Sequence, residues 1–154
     1  MLERCGLEGF PKTSGSKGLQ IFVPLNSAVS YEKTKAFAHA IAERLEAETP
    51  KTVVSKMQKS LRQGKVLVDW SQNDDHKTTV CVYSLRAKEH PTVSTPVTWM
   101  EVETALKKRD AQRLVFEVHE VLHRVEKKGD LFAPVLKLKQ KLPALETLTL
   151  GGSG

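Results

Sequence analysis

The sequence predicts an α+β fold, and three observations predict it. In the segment after Ser30, the apolar residues Phe37, Ile41 and Leu45 recur every fourth position, the spacing of one buried helical stripe. Short apolar runs bounded by turn residues, Leu19–Leu25 and Val66–Trp70, have the length and composition of strands. The elements follow in the order strand, helix, helix, hairpin, helices, which lacks the regular strand–helix alternation of a parallel α/β sheet.

The elements follow in chain order. Leu19–Leu25 reads as a buried strand, with Pro24 near its end because proline cannot donate to a ladder. Ser30 caps a helix over Tyr31–Glu48, closed by Pro50. Val53–Arg62 is predicted as a second, short helix ending at Gly64. Val66–Trp70 and Thr78–Tyr83, separated by a polar turn, predict an antiparallel hairpin. Residues 84–97, broken by Pro91 and Pro96, read as an ordered loop. Thr98 with Glu101 has the form of a capping box, opening a helix to about Lys108. Glu117–Lys128 is predicted as a helix stopped by Gly129, and Leu131–Lys141 as another before Pro143. The tail from residue 144 to 154, ending Gly151-Gly152-Ser153-Gly154, reads as flexible.

The 154 residues amount to one ordinary domain or a piece of a larger one, and 40% hydrophobic content supports a packed core. Lys and Arg number 24 against 18 Asp and Glu, a formal charge of +6, which favours polyanionic partners or is simply a solvated basic surface. Cys5 and Cys81 form neither a disulfide framework nor a metal spacing, which fits a reducing cytoplasm. No run approaches the roughly 18 apolar residues of a membrane span.

Four constellations carry possible chemistry. Lys12-Thr13-Ser14-Gly15-Ser16-Lys17-Gly18 collects amines, hydroxyls and glycines before a strand. Such a loop lets backbone N–H groups approach a phosphate, although it lacks the P-loop spacing and is otherwise a polar loop. Asp69 ends an apolar strand, where a carboxylate calls for a metal or a basic neighbour. Arg62 and Arg86 flank the predicted hairpin and have the fork that binds phosphate. His119-Glu120-Val121-Leu122-His123 matches the H-E-x-x-H zinc pattern, with Glu120 as base, but no Gly-x-x-His continuation follows, Glu126 lies too close to be the distant third ligand and only Glu146 is left open for it; the alternative is two surface histidines.

Phe10–Gln20, Lys65–Asn73, Tyr83–Ala87 and Val93–Trp99, taken together and in this order, resemble the polymerase domain of bacterial DNA ligase D, a member of the archaeo-eukaryotic primase superfamily. The resemblance runs over roughly residues 7–143. It implies part of a primase-like catalytic module, with an antiparallel or mixed sheet, helices on one face and a helical C-terminal tail. It implies extension of DNA ends with nucleoside triphosphates during non-homologous end joining, with Mn or Mg as cofactor. Partners would be DNA ends, the ligase and the end-binding Ku protein, in the bacterial cytoplasm at the nucleoid.

The resemblance makes Asp69 the third catalytic aspartate and a metal ligand. It gives nucleotide contacts to Lys12, Ser14, Ser16, Lys17, Gln20, Arg62, Gln72 and Arg86. Two departures bear on activity. The family's Asp-x-Asp pair precedes the Lys-Thr-Ser-Gly loop, whereas only Met1–Pro11 precede it here, without that motif. Many members also carry His where Gln20 stands. The expectation is a truncated chain, inactive alone, with an exposed sheet edge and apolar surface that promote self-association. A non-catalytic nucleotide- or DNA-binding module is the alternative.

Overall fold

The computed structural model describes residues 1–149 and is α+β, with short two-stranded ladders and four helices. It divides into two compact units. One comprises Met1–Gly6, Ser27–Thr79 and Lys141–Gly154; the other comprises Leu7–Asn26 and Val80–Gln140.

In the first unit the chain forms α1 (Tyr31–Glu48), whose N-cap Ser30 accepts from the Lys33 amide, as the sequence predicts. Phe37 and Ala42 are buried, while Ile41 and Leu45 are only half-buried. Residues 53–62 are not a helix. Val53–Val54 is a strand, β3, paired in parallel with Val66–Leu67, β4, and only Lys59–Leu61 makes a 3-10 turn. β-branched Val53 and Val54 favour this extended pairing, which a local reading cannot foresee. The predicted hairpin also fails: β4 pairs with β3, and residues 78–83 form no strand. Trp70 closes this unit, donating its indole N–H to the Ser55 carbonyl (2.9 Å) and stacking on His39 with centroids 4.0 Å apart. Glu146–Thr149 forms the short helix α4, with Leu148 buried. Residues 150–154 lie outside the described residues.

In the second unit β1 (Phe10–Thr13) pairs antiparallel with β2 (Leu19–Phe22), Lys12 opposite Gln20. Lys12 and Thr13, expected in the loop, are strand, and only Ser14–Gly18 turns. Residues 84–97 are likewise more ordered than a loop, since β5 (Leu85–Arg86) and β6 (Thr92–Val93) form an antiparallel ladder. β1 also bonds to the segment after β6, through a Lys12–Pro96 bridge and the Thr13 amide on the Thr95 carbonyl (2.8 Å).

Helix α2 (Trp99–Lys108) opens on the predicted capping box, Thr98 with Glu101. Helix α3 (Val118–Lys128) ends at Gly129, also as predicted. The predicted helix at 131–141 reduces to a 3-10 turn at Ala133–Leu136, with Pro134 at its start. Val93, Val97, Phe116 and Val121 form this unit's core, with Tyr83, Val102 and Leu114 against it. No helix among the described residues is long and apolar enough to cross a membrane.

Candidate nucleotide and metal site

The second unit builds its polar centre around Lys12, whose side chain is fully buried. Its ammonium donates to Gln20 Oε1 (2.6 Å), Ser94 Oγ (2.7 Å) and the Val80 carbonyl (2.9 Å). Three N–H donors meet three oxygens, so the charge is enclosed with every hydrogen bond made. Burial lowers its pKa to about 8; the Cys81 thiol opposes the shift and the Arg86 charge adds to it. Ser94 passes the connection on, donating from Oγ to the Thr13 carbonyl (2.9 Å).

Above this floor the chain turns through Ser14–Gly18. Ser14 Oγ accepts from the amides of Ser16 (3.2 Å) and Gly18 (3.1 Å), and the Ser14 amide donates to the Gly18 carbonyl (2.8 Å). Gly15 has φ +66°, and a Cβ there would stand 2.7 Å from Arg86 Cγ and 3.0 Å from the Ser94 nitrogen. Glycine is required on both counts: the left-handed backbone and the close approach of the β5–β6 ladder. Thr92 Oγ1 fixes the turn by donating to the Gly15 carbonyl (2.5 Å).

Two cations here remain unengaged. Half-buried Arg86 and exposed Lys17 make no hydrogen bond or ion pair among the described residues. The amides of Gly15 and Lys17 likewise donate to no group in them. Ser16 is exposed at the tip. Turn amides, hydroxyls and free basic side chains together are donors for an anion.

The first unit holds Asp69. It is exposed, contrary to the expectation of a carboxylate that is costly to bury. Oδ1 accepts from Ser71 Oγ (2.6 Å) and Oδ2 from Gln72 Nε2 (3.1 Å). Desolvation pushes its pKa up, but the bonds from Ser71 and Gln72, with help from the Arg62 charge, bring the net below the usual range. Asp69 is therefore ionised at neutral pH. Arg62 is half-buried and turned to the Met57 carbonyl, and its Nε has no partner. Asp69 and Arg62 form no ion pair; the charge acts through space.

Sequence reasoning gave no role to Ser94, Thr92 or Ser71. Ser94 and Thr92 are placed by strand pairing, which no spacing in the sequence encodes. The H-E-x-x-H pattern does not assemble a metal site. His119 and His123 are 79% and 62% exposed, beside Glu117 and Glu126. Glu120 is committed to the helix cap, accepting from the Glu117 amide (2.8 Å). The group of three ligating side chains found among the described residues is Asp74, Asp75 and His76, and Lys35 already holds Asp74 at 2.5 Å.

The family model for the LigD primase-polymerase domain matches residues 1–132. The multifunctional non-homologous end joining protein LigD of Mycolicibacterium smegmatis is 46% identical over 129 residues, covering 84% of this chain and 16% of that protein. The LigD of Mycobacterium tuberculosis H37Rv is 44% identical over 149 residues, 97% of this chain and 18% of that protein. The solved polymerase domain from Mycobacterium tuberculosis ligase D, in complex with DNA, superposes with a TM-score of 0.79 at 46% identity, over 87% of this chain and 45% of that one. The chain thus spans less than a fifth of these two curated relatives and under half of the solved domain.

Proposed function

The chain belongs to the LigD primase-polymerase family, and we propose that it supplies the nucleotide-holding part of a nucleotidyltransferase that extends DNA ends in non-homologous end joining. In this reading Ser14, Ser16, Lys17 and Arg86 engage the phosphates of a nucleoside triphosphate, and Lys12 and Gln20 belong to the same site. In the first unit Asp69 is the proposed catalytic metal ligand, Arg62 its electrostatic companion, and Gln72, which donates to Asp69 Oδ2 (3.1 Å), a proposed nucleotide contact.

The observation that carries the proposal is Arg86. The half-buried Arg86 side chain packs its Cγ against a glycine in a hydroxyl-rich turn, and no oxygen among the described residues is bound to its guanidinium. An anion resolves that arrangement, and a phosphate fits a planar fork better than a point contact.

The fit of a divalent ion can be tested on Asp69. Its carboxylate is ionised and exposed, and the bonds from the Ser71 side chain and backbone and from Gln72 leave lone-pair capacity for a cation. Mn or Mg, when bound, would favour deprotonation of a primer 3′-hydroxyl and steady the departing pyrophosphate. A hard cation of this kind takes about six oxygen ligands. One carboxylate is too few for tight binding, and no Asp-x-Asp occurs anywhere in the chain. We therefore infer that the chain alone binds nucleotide and does not turn it over.

DNA ends, the ligase and a Ku-type end-binding protein are the proposed partners, with the positive charge favouring DNA backbone contacts. The test is Mn-dependent addition of nucleotides to a primer end by the purified chain, beside a binding measurement for the same nucleotide. Binding without addition is the expected pair of results. Robust addition overturns the inactivity, and absence of binding removes the nucleotide site.

A further inference from the structure

Tyr83 holds a backbone conformation that a bulky side chain rarely adopts, φ +63°. It stands just before β5, whose second residue is Arg86. The Tyr83 amide donates to the Ser94 carbonyl (2.7 Å), while the Ser94 amide donates to the Ser84 carbonyl (2.9 Å). Two residues on one side thus face one on the other, the pattern of a β-bulge whose left-handed position is usually glycine. Beyond it the register is regular, with Leu85 opposite Val93 and Arg86 opposite Thr92. The bulge also breaks the alternation of faces. Tyr83 packs on the core of Val93, Val97, Phe116 and Val121, yet Leu85, two positions on, is 61% exposed. Without the extra residue the pairing would slip by one and turn Arg86 away from Gly15, which its Cγ now approaches.

We propose that Tyr83, latched by Asp130, is a positioning residue that aims Arg86 at phosphates held by the Ser14–Gly18 turn. The inference rests on the nucleotide reading above and names what orients its guanidinium. Glycine would take this backbone without strain, so what tyrosine adds is its side chain. The ring anchors the bulge in the core, and the hydroxyl donates to Asp130 Oδ1 (2.6 Å) just after α3. Asp130 is itself oriented, since the same oxygen accepts from the Phe132 amide (2.9 Å). Burial, and then the bond to Asp130, push the tyrosine pKa up and keep the hydroxyl a donor. Thr92, opposite Arg86, fixes the other side of the ladder by donating to the Gly15 carbonyl. Latch, bulge, ladder and turn form one connected frame. The Arg86 guanidinium, without a partner among the described residues, is therefore aimed by its strand rather than by a salt bridge.

The experiment measures MgATP affinity for the full chain and for Tyr83→Phe, Asp130→Ala and Asp130→Asn. Melting temperatures and amide NMR spectra of the free chains are recorded beside it. Loss of the latch should weaken binding about fivefold in Tyr83→Phe and in Asp130→Ala. Asp130→Asn keeps an oxygen for the hydroxyl and should restore wild-type affinity. Charge alone predicts the opposite for Asp130→Ala, because removing a carboxylate favours an anionic ligand. The Gly15 amide resonance, beside Arg86 Cγ, should shift in the two latch-breaking variants and return in Asp130→Asn. A tyrosine that served only the core would lower the melting temperature and leave the Gly15 signal and the affinity in place. That result, or equal losses in Asp130→Ala and Asp130→Asn, overturns the positioning role and leaves the nucleotide site standing. Asp130 is exposed, so its two variants decide the matter even if Tyr83→Phe fails to fold. Absence of MgATP binding by the wild type overturns both.

Discussion

At the scale of single residues, the turn before β2 depends on Gly15. Alanine there would carry φ +66° and press its Cβ on Arg86 Cγ. Left-handed strain and the clash together should cost about 1–3 kcal/mol, read as a lower denaturant midpoint. Nucleotide affinity should fall as well, because Arg86 must move. Lys12 carries an unusual pH signature. Its folded pKa, about 8, lies below the ordinary 10.5. Between these values the unfolded chain holds the proton and the folded chain does not, so stability contributed at this site rises with pH. Compared with Lys12→Met, the wild type should gain thermal stability from pH 8 to pH 10.5; a constant or falling difference would contradict the buried-ammonium picture. Asp69 is the opposite case. Asp69→Asn removes an exposed, ionised acceptor, so Mn affinity should drop with little change in melting temperature.

At the scale of elements, α2 and α3 meet through one carboxylate. Glu101 accepts from Arg124 Nη1 (2.7 Å) and Nη2 (3.0 Å), from Lys128 (2.8 Å), and from the Thr98 amide that it caps (2.9 Å). Burial works against its ionised form, but the Arg124 and Lys128 bonds outweigh it and hold the carboxyl well below its usual range. That stability is present above pH 4.5 and is lost as pH falls through the folded value. Glu101→Gln should destabilise by about 1–3 kcal/mol, measured by thermal melting at pH 7, with a smaller loss at acid pH. The capping box at Thr98 was legible from sequence because it lies within four residues; so were α1 with its Ser30 cap and the Gly129 stop. The β3–β4 ladder and the β5–β6 hairpin were not legible. Each strand is two residues long, too short for a periodicity to declare itself, and each is stabilised by a partner several residues away. The same limit applied to the site: the Lys12–Gly18 block and Arg86 stood out by residue type, whereas Ser94 and Val80 enter only through long-range contacts with the Lys12 amine.

For the whole molecule, large apolar side chains remain in solvent: Met100 at 75%, Leu106 at 76% and Leu136 at 81% exposed, and Val66 at 67%. Single exposed hydrophobics are ordinary, but this many in 154 residues favour association. Light scattering should show mass rising with concentration, and a monomer across the range would contradict that. Family membership concerns the chain as a whole, whereas the nucleotide reading depends on two free cations beside one turn. The most direct measurement is therefore MgATP or Mn-nucleotide affinity at pH 6.5 for the wild type, Lys17→Ala and Arg86→Ala. Wild-type binding lost at least tenfold in Arg86→Ala and weakened in Lys17→Ala, with unchanged melting temperatures, is the predicted result. Equal affinity in all three chains, or no affinity in any, would contradict it.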